Sequence, residues 1–95
     1  MYSITIRFYE ELNDFLPADM RRQDIAFSFP GRRSVKDLIE SMGVPHVEVD
    51  LILADGESVG FSHIVRDGER ISVYPEFERL DIGAVTRLRP LPLRD

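Results

Sequence analysis

Only one stretch of this chain carries a clear helical stripe, and it is short. Val35, Leu38, Ile39 and Met42 recur at i, i+3, i+4 and i+7, which puts them on a single face of a helix. Ser34 suits the N-cap, and Asp37 three residues on sets negative charge where the first turn's N–H groups are unpaired. Gly43 fits the position just past the end, and Pro45 forbids continuation. A lone helix over about 34–43 has one apolar face and needs a partner layer to cover it. The alternating segments on either side of it are the only material for that layer.

Those segments read as strands. Tyr2, Ile4, Ile6 and Phe8 alternate with Ser3, Thr5 and Arg7, and Ile25, Phe27 and Phe29 alternate again before Pro30-Gly31. Between them, Glu10–Leu16 places Leu12 with Phe15 and Leu16 at helical spacing, a turn or two before Pro17. The Pro17–Gln23 connection is longer than a tight hairpin, so pairing of the first two strands is inferred from pattern. After the helix, Val47, Val49, Leu51 and Leu53 alternate with Glu48 and Asp50, while Ile52 falls on the second face. Asp55-Gly56 and Asp67-Gly68 are strong turn signals, because glycine takes positive φ without steric cost. Val59 and Phe61 form a short strand after the first, Ser62–Arg66 a loop or single helical turn, and Ile71, Val73 and Pro75 the closing strand after the second.

The order strand, strand, helix, strand, short strand, strand defines an α+β class and is the β-grasp order of ubiquitin. The expectation is a mixed four- to five-stranded sheet with one main helix packed on one face. The domain spans 1–78. From 79 to 95 the apolar residues lose regular spacing, Pro90 and Pro92 exclude a terminal helix, and the segment reads as an extension or linker.

Charge narrows the function. Formal net charge is −5, against nucleic-acid binding by bulk charge. The distribution is uneven: Arg21, Arg22, Arg32, Arg33 and Lys36 face only Asp24 between 21 and 36, whereas acids dominate from Glu48 to Asp81. Arg21, Arg22, Arg32 and Arg33 are therefore the candidate contacts for RNA phosphate, beside the plainer reading of a solvated basic loop. With no cysteine there is no disulfide, thiol nucleophile or thiolate metal site. No apolar run reaches membrane-spanning length and Met1–Phe8 is not a signal core, so the expected location is cytoplasmic, without membrane contact.

No catalytic motif emerges. His46 and His63 have no metal-ligand spacing, the glycines do not match a phosphate loop, and Ser34 is occupied as a cap. Glu10-Glu11 has no base beside it in sequence and reads as a solvated helix start. The chain reads as non-enzymatic, with no cofactor and no metal.

FYEELNDFLP (8–17), SVKDLIESMGVPH (34–46), PHVEVD (45–50), DGERISVYP (67–75) and RLRPLPLR (87–94) together resemble the ubiquitin-like domain that precedes the Mut-seven C-terminal RNase domain, a PIN-like nuclease, in bacterial proteins. The resemblance implies a β-grasp fold related to the thiamine and molybdopterin sulfur carriers, and an accessory role beside a nuclease in RNA processing. It implies no catalytic residue here. Within its most specific block, GVPHVEVDLIL, His46 and Glu48 are candidate contacts, against the plainer role of fixing the helix exit. The expected partners are a nuclease domain in cis or a protein in trans, with RNA as a further candidate. The alternative is a sulfur carrier or ubiquitin-like modifier. It is disfavoured because Glu76-Phe77-Glu78-Arg79 stands where such proteins place Gly-Gly, and Gly83 is the only glycine after Pro75. A third reading is an assembly partner without a nucleic-acid role.

Overall fold

The computed structural model describes residues 1–76. Five strands form one mixed sheet: β1 (Tyr2–Phe8), β2 (Ile25–Phe29), β3 (Val49–Ala54), β4 (Glu57–Val59) and β5 (Arg70–Pro75), in the order β2-β1-β5-β3-β4. The helix α1 (Val35–Ser41) lies between β2 and β3 in sequence. β1 pairs antiparallel with β2 and parallel with β5, and β3 pairs antiparallel with both β5 and β4. This is the expected β-grasp. The expected boundary at 78 and the extension 79–95 lie outside the described residues.

The local signals work as read. Ser34 Oγ accepts the Asp37 N–H at 3.1 Å, capping α1. Gly43 sits at φ +99°, where a side chain would be strained, and a Cβ there would also come within 3.2 Å of the Phe15 carbonyl oxygen. Asp55 and Gly56 take φ values of 50° and 88°, the two consecutive positive angles of a tight hairpin turn, and Ala54 pairs with Glu57 across it. The second Asp-Gly turn has a long-range anchor: Asp67 Oδ1 accepts the Ser3 N–H at 2.7 Å, and the Gly68 N–H donates to the Ser3 carbonyl at 2.7 Å. That contact ties the start of β5 to the start of β1.

The core lies between the sheet and α1. Ile4, Ile6 and Phe8 of β1, Ile25 and Phe29 of β2, and Ile71 and Val73 of β5 are buried with Val35, Leu38 and Ile39 of the helix. Leu12 and Leu16 join them from a 3₁₀ segment, Glu10–Phe15, whereas Phe15, expected beside them, is 40% exposed. A 3₁₀ turn repeats every three residues rather than 3.6, so Leu12 and Phe15 do not share a face with Leu16 as they would on an α-helix. Asn13 takes the buried place instead.

β3 departs most from expectation. Its pairing with β5 runs Val49↔Pro75, then Leu51↔Tyr74 and Ile52↔Val73, so Asp50 is an extra residue on the β3 side. Such a bulge shifts side-chain parity by one. Val49 faces the core before it, and Ile52 and Ala54 face the core after it. Leu51 and Leu53, expected inward, are half-buried on the other face. Val47, also expected inward, lies in the 3₁₀ turn His46–Glu48 and is 76% exposed. Ile52→Ala should therefore destabilise the domain by about 2–4 kcal/mol, and Leu53→Ala by less than half as much. Urea unfolding of the two variants checks this, and equal losses would contradict the inverted parity.

Candidate interaction surfaces

Because α1 and the core occupy one face of the sheet, the other is uncovered among the described residues. Alternation along β1, β3 and β5 fixes what it displays. Arg7 lies opposite Ser72, Ser72 opposite Leu53, and Tyr74 opposite Leu51. Tyr9, just past β1, stacks on Tyr74 with ring centroids 4.4 Å apart and an interplanar angle of 8°. The Tyr9 N–H holds the pair in place by donating to the Val73 carbonyl at 3.0 Å. Partial burial, and then the neighbouring Tyr9 phenol, push the Tyr74 phenol above its ordinary pKa. The Arg7 guanidinium lies 5.6 Å from the Tyr9 ring centroid, within cation–π range. Arg7 and Arg70 both reach Asp24 Oδ1, at 3.5 and 2.9 Å, forming a charged rim on the β2 side. The face thus has a centre of stacked tyrosines and two leucines beside a rim of paired arginines.

Next to it, a cleft of about 510 Å³ is lined by Arg7, Tyr9, Glu10, Glu11, Asp14 and Arg22, among others. Sequence proximity gave Glu10 and Glu11 no basic neighbour, but folding brings Arg7 and Arg22 to the same cleft. Glu10 (φ 53°) and Arg22 (φ 57°) both hold left-handed backbone conformations. Buried Asn13 secures both: its Nδ2 donates to the Phe8 and Glu10 carbonyls at 3.1 and 2.9 Å, and its Oδ1 accepts the Arg22 N–H at 2.6 Å.

The expected arginine set does not converge. Arg21 and Arg22 precede β2, and Arg32 and Arg33 follow it, so the two pairs stand at opposite ends of a strand roughly 17 Å long. Arg21 Nε donates to the Leu16 carbonyl at 2.9 Å. Arg33 pairs with Asp37 at 2.8 Å and lies over the Phe29 ring, while Arg32 is exposed. Of the four, only Arg22 lines the cleft.

His46 and Glu48 sit in the 3₁₀ turn that leads from α1 into β3. His46 Nδ1 contacts Glu40 Oε2, the His46 N–H donates to the same carboxylate at 3.3 Å, and the ring meets Phe61 edge-on at 5.4 Å. His46 therefore fixes the helix exit. Glu48 is exposed and does not join it in a site. His63 Nε2 lies 3.1 Å from both oxygens of the buried Glu69 carboxylate, which also accepts the Arg66 N–H at 2.9 Å. This buried cluster orders the loop before β5. Among the described residues, no three potential ligands are grouped to hold a metal, and no helix is long and apolar enough to cross a membrane.

An α+β domain with this strand order and an open sheet face is a ubiquitin-like β-grasp domain. The family model described as Mut7-C ubiquitin matches residues 1–81, and the chain belongs to that family. Two solved structures share the fold. One is small archaeal modifier protein 1 from H. volcanii (TM-score 0.59, 13% identity, covering 79% of this chain and 98% of the other). The other is a molybdopterin converting factor subunit 1 from Pyrococcus furiosus (TM-score 0.60, 18% identity, covering 79% and 98%). Among curated proteins, none shows significant sequence similarity.

The Glu40 carboxyl is held below its ordinary pKa, first by the hydrogen bond from the His46 side chain and then by that from its backbone N–H. A depressed folded-state pKa means that the unfolded chain binds the proton more tightly. The stabilisation is complete above the unfolded carboxyl's pKa and fades as pH falls through the folded value. Glu40→Gln should flatten that acid-side slope in a plot of Tm against pH, and an unchanged slope would show that the contact does not bear on folding.

Proposed function

We propose that this domain is a non-catalytic binding module serving a PIN-like RNase, in cis or in trans, in cytoplasmic RNA processing. The observation that carries this reading is the open sheet face, with Tyr9 stacked on Tyr74, Leu51 and Leu53 at its centre and Arg7 and Arg70 at its edge. Tyrosine and arginine around a small apolar centre are the residues in which binding energy concentrates at protein interfaces. Membership of the Mut7-C ubiquitin family supports the nuclease as the partner.

The sulfur-carrier reading is favoured by the two fold relatives, one named as a modifier and one as a molybdopterin converting factor. Against it stands the Glu76–Arg79 sequence after the last strand, since activation of a C-terminal carboxylate in a narrow channel favours glycine.

The test compares RNA cleavage by a Mut7-C nuclease domain alone, joined to residues 1–95, and mixed with the free domain. Cleavage or complex formation should depend on the domain, and Tyr74→Ala should weaken the association about tenfold or more. Cleavage and binding indifferent to the domain would end the nuclease reading. A C-terminal thiocarboxylate on the cellular protein, seen by intact mass, would restore the carrier.

A further inference from the structure

The two edges of the sheet are not alike. β4 is three residues long and begins with Glu57; shortness and charge are both devices that keep an edge from pairing with another chain. β2 has neither. Ile25–Phe29 contains no charge and no proline, and its register with β1 is unbroken from Tyr2↔Phe29 to Ile6↔Ile25. Its far side meets no strand among the described residues. In an antiparallel pair, alternate residues turn their N–H and C=O groups away from the partner, so β2 presents an outward row of donors and acceptors.

We infer that the free edge of β2 receives an extended protein segment with alternating apolar residues and acidic flanks, as an added strand. This rests on the reading of the domain as a binding module, and it names the surface and the chemistry of the partner. Side chains set the alternation: Phe27 is half-buried on the core side, and Ala26 and Ser28 are exposed on the other. Charge sets the flanks. Arg21 and Arg22 lie before the strand, and Arg32, Arg33 and Lys36 lie after it. The acids in this region are already engaged, Asp24 by Arg7 and Arg70 and Asp37 by Arg33. The surplus on both flanks is positive.

The same charges disfavour other occupants. A second copy paired antiparallel about Phe27 would bring Arg22 of each copy opposite Arg32 of the other, a like-charge pairing. The segment after Glu76 carries Arg79, Arg87, Arg89 and Arg94, again the wrong sign. RNA would answer the arginines but not the backbone row, which is the feature peculiar to an open strand edge.

The probe is the peptide acetyl-Glu-Asp-Val-Thr-Val-Thr-Val-Asp-Glu-amide, titrated into the isotopically labelled chain 1–95. Amide shifts should saturate and centre on 24–30. Arg22→Glu combined with Arg32→Glu, both exposed positions, should weaken binding about five- to tenfold while leaving the rest of the amide spectrum in place. The same peptide flanked by lysine and arginine should bind the native domain more weakly than the acidic one. Shifts centred on Leu51, Leu53 and Tyr74, or none at millimolar peptide, would overturn the edge proposal and leave the binding-module reading to its own cleavage test. A uridine oligonucleotide that shifts 21–33 where the peptide fails would overturn it in favour of RNA. A dimer by sedimentation, blocked by Ala26→Lys, would overturn it in favour of self-pairing.

Discussion

The parallel pairing of β1 with β5 is the constraint on which the rest of the structure depends. Thr5 pairs with Arg70 and Phe8 with Val73, so the first and last strands lie side by side, pointing the same way. Parallel neighbours cannot be joined by a tight turn, and the chain between them must cross over a face of the sheet. Here the crossover carries α1, and Val35, Leu38 and Ile39 close the core on that side. Ser3 reinforces the arrangement by bonding both Asp67 and Gly68 in the turn that launches β5. One layer of helix thus gives the sheet a covered face and an open one, and the open face is where stacked tyrosines and half-buried leucines collect.

Much of this was legible in the sequence because it depends on local chemistry. Strand alternation in β1 and β2, the Ser34 cap, the Gly43 exit and the Asp55-Gly56 hairpin are each specified by a few adjacent residues. Errors arise where a neighbour in space changes the reading. Val47 to Leu53 alternates without a break in sequence, but the 3₁₀ turn withdraws Val47 and the Asp50 bulge reverses the parity of Leu51 and Leu53. A bulge leaves no mark in an alternating pattern; the only trace was Ile52, which sat on the wrong face. Phe15 failed for a related reason, since apolar spacing of three and four residues does not separate a 3₁₀ turn from a short α-helix.

The surfaces were less legible than the fold. Arg21, Arg22, Arg32 and Arg33 form a cluster in composition, but an intervening strand divides them between two ends of an edge. Tyr9 and Tyr74 are remote in sequence and meet only because β1 and β5 are neighbours. His63 and Glu69 are six residues apart, yet nothing in their spacing shows that the carboxylate is buried. His46 acts locally, at the helix exit, which is the plainer of its two expected roles.

Asn13 has a wider consequence than its size suggests. Its carboxamide holds two left-handed residues, Glu10 and Arg22, from segments that are separate in sequence. Ordering a loop when a ligand arrives subtracts from affinity, because freedom is lost at that moment. In this domain the backbone at Glu10 and Arg22 is immobilised during folding, by a buried amide out of reach of any partner. Whatever meets the Arg22 side therefore encounters a surface already in shape, and selectivity there rests on fit rather than on adaptation.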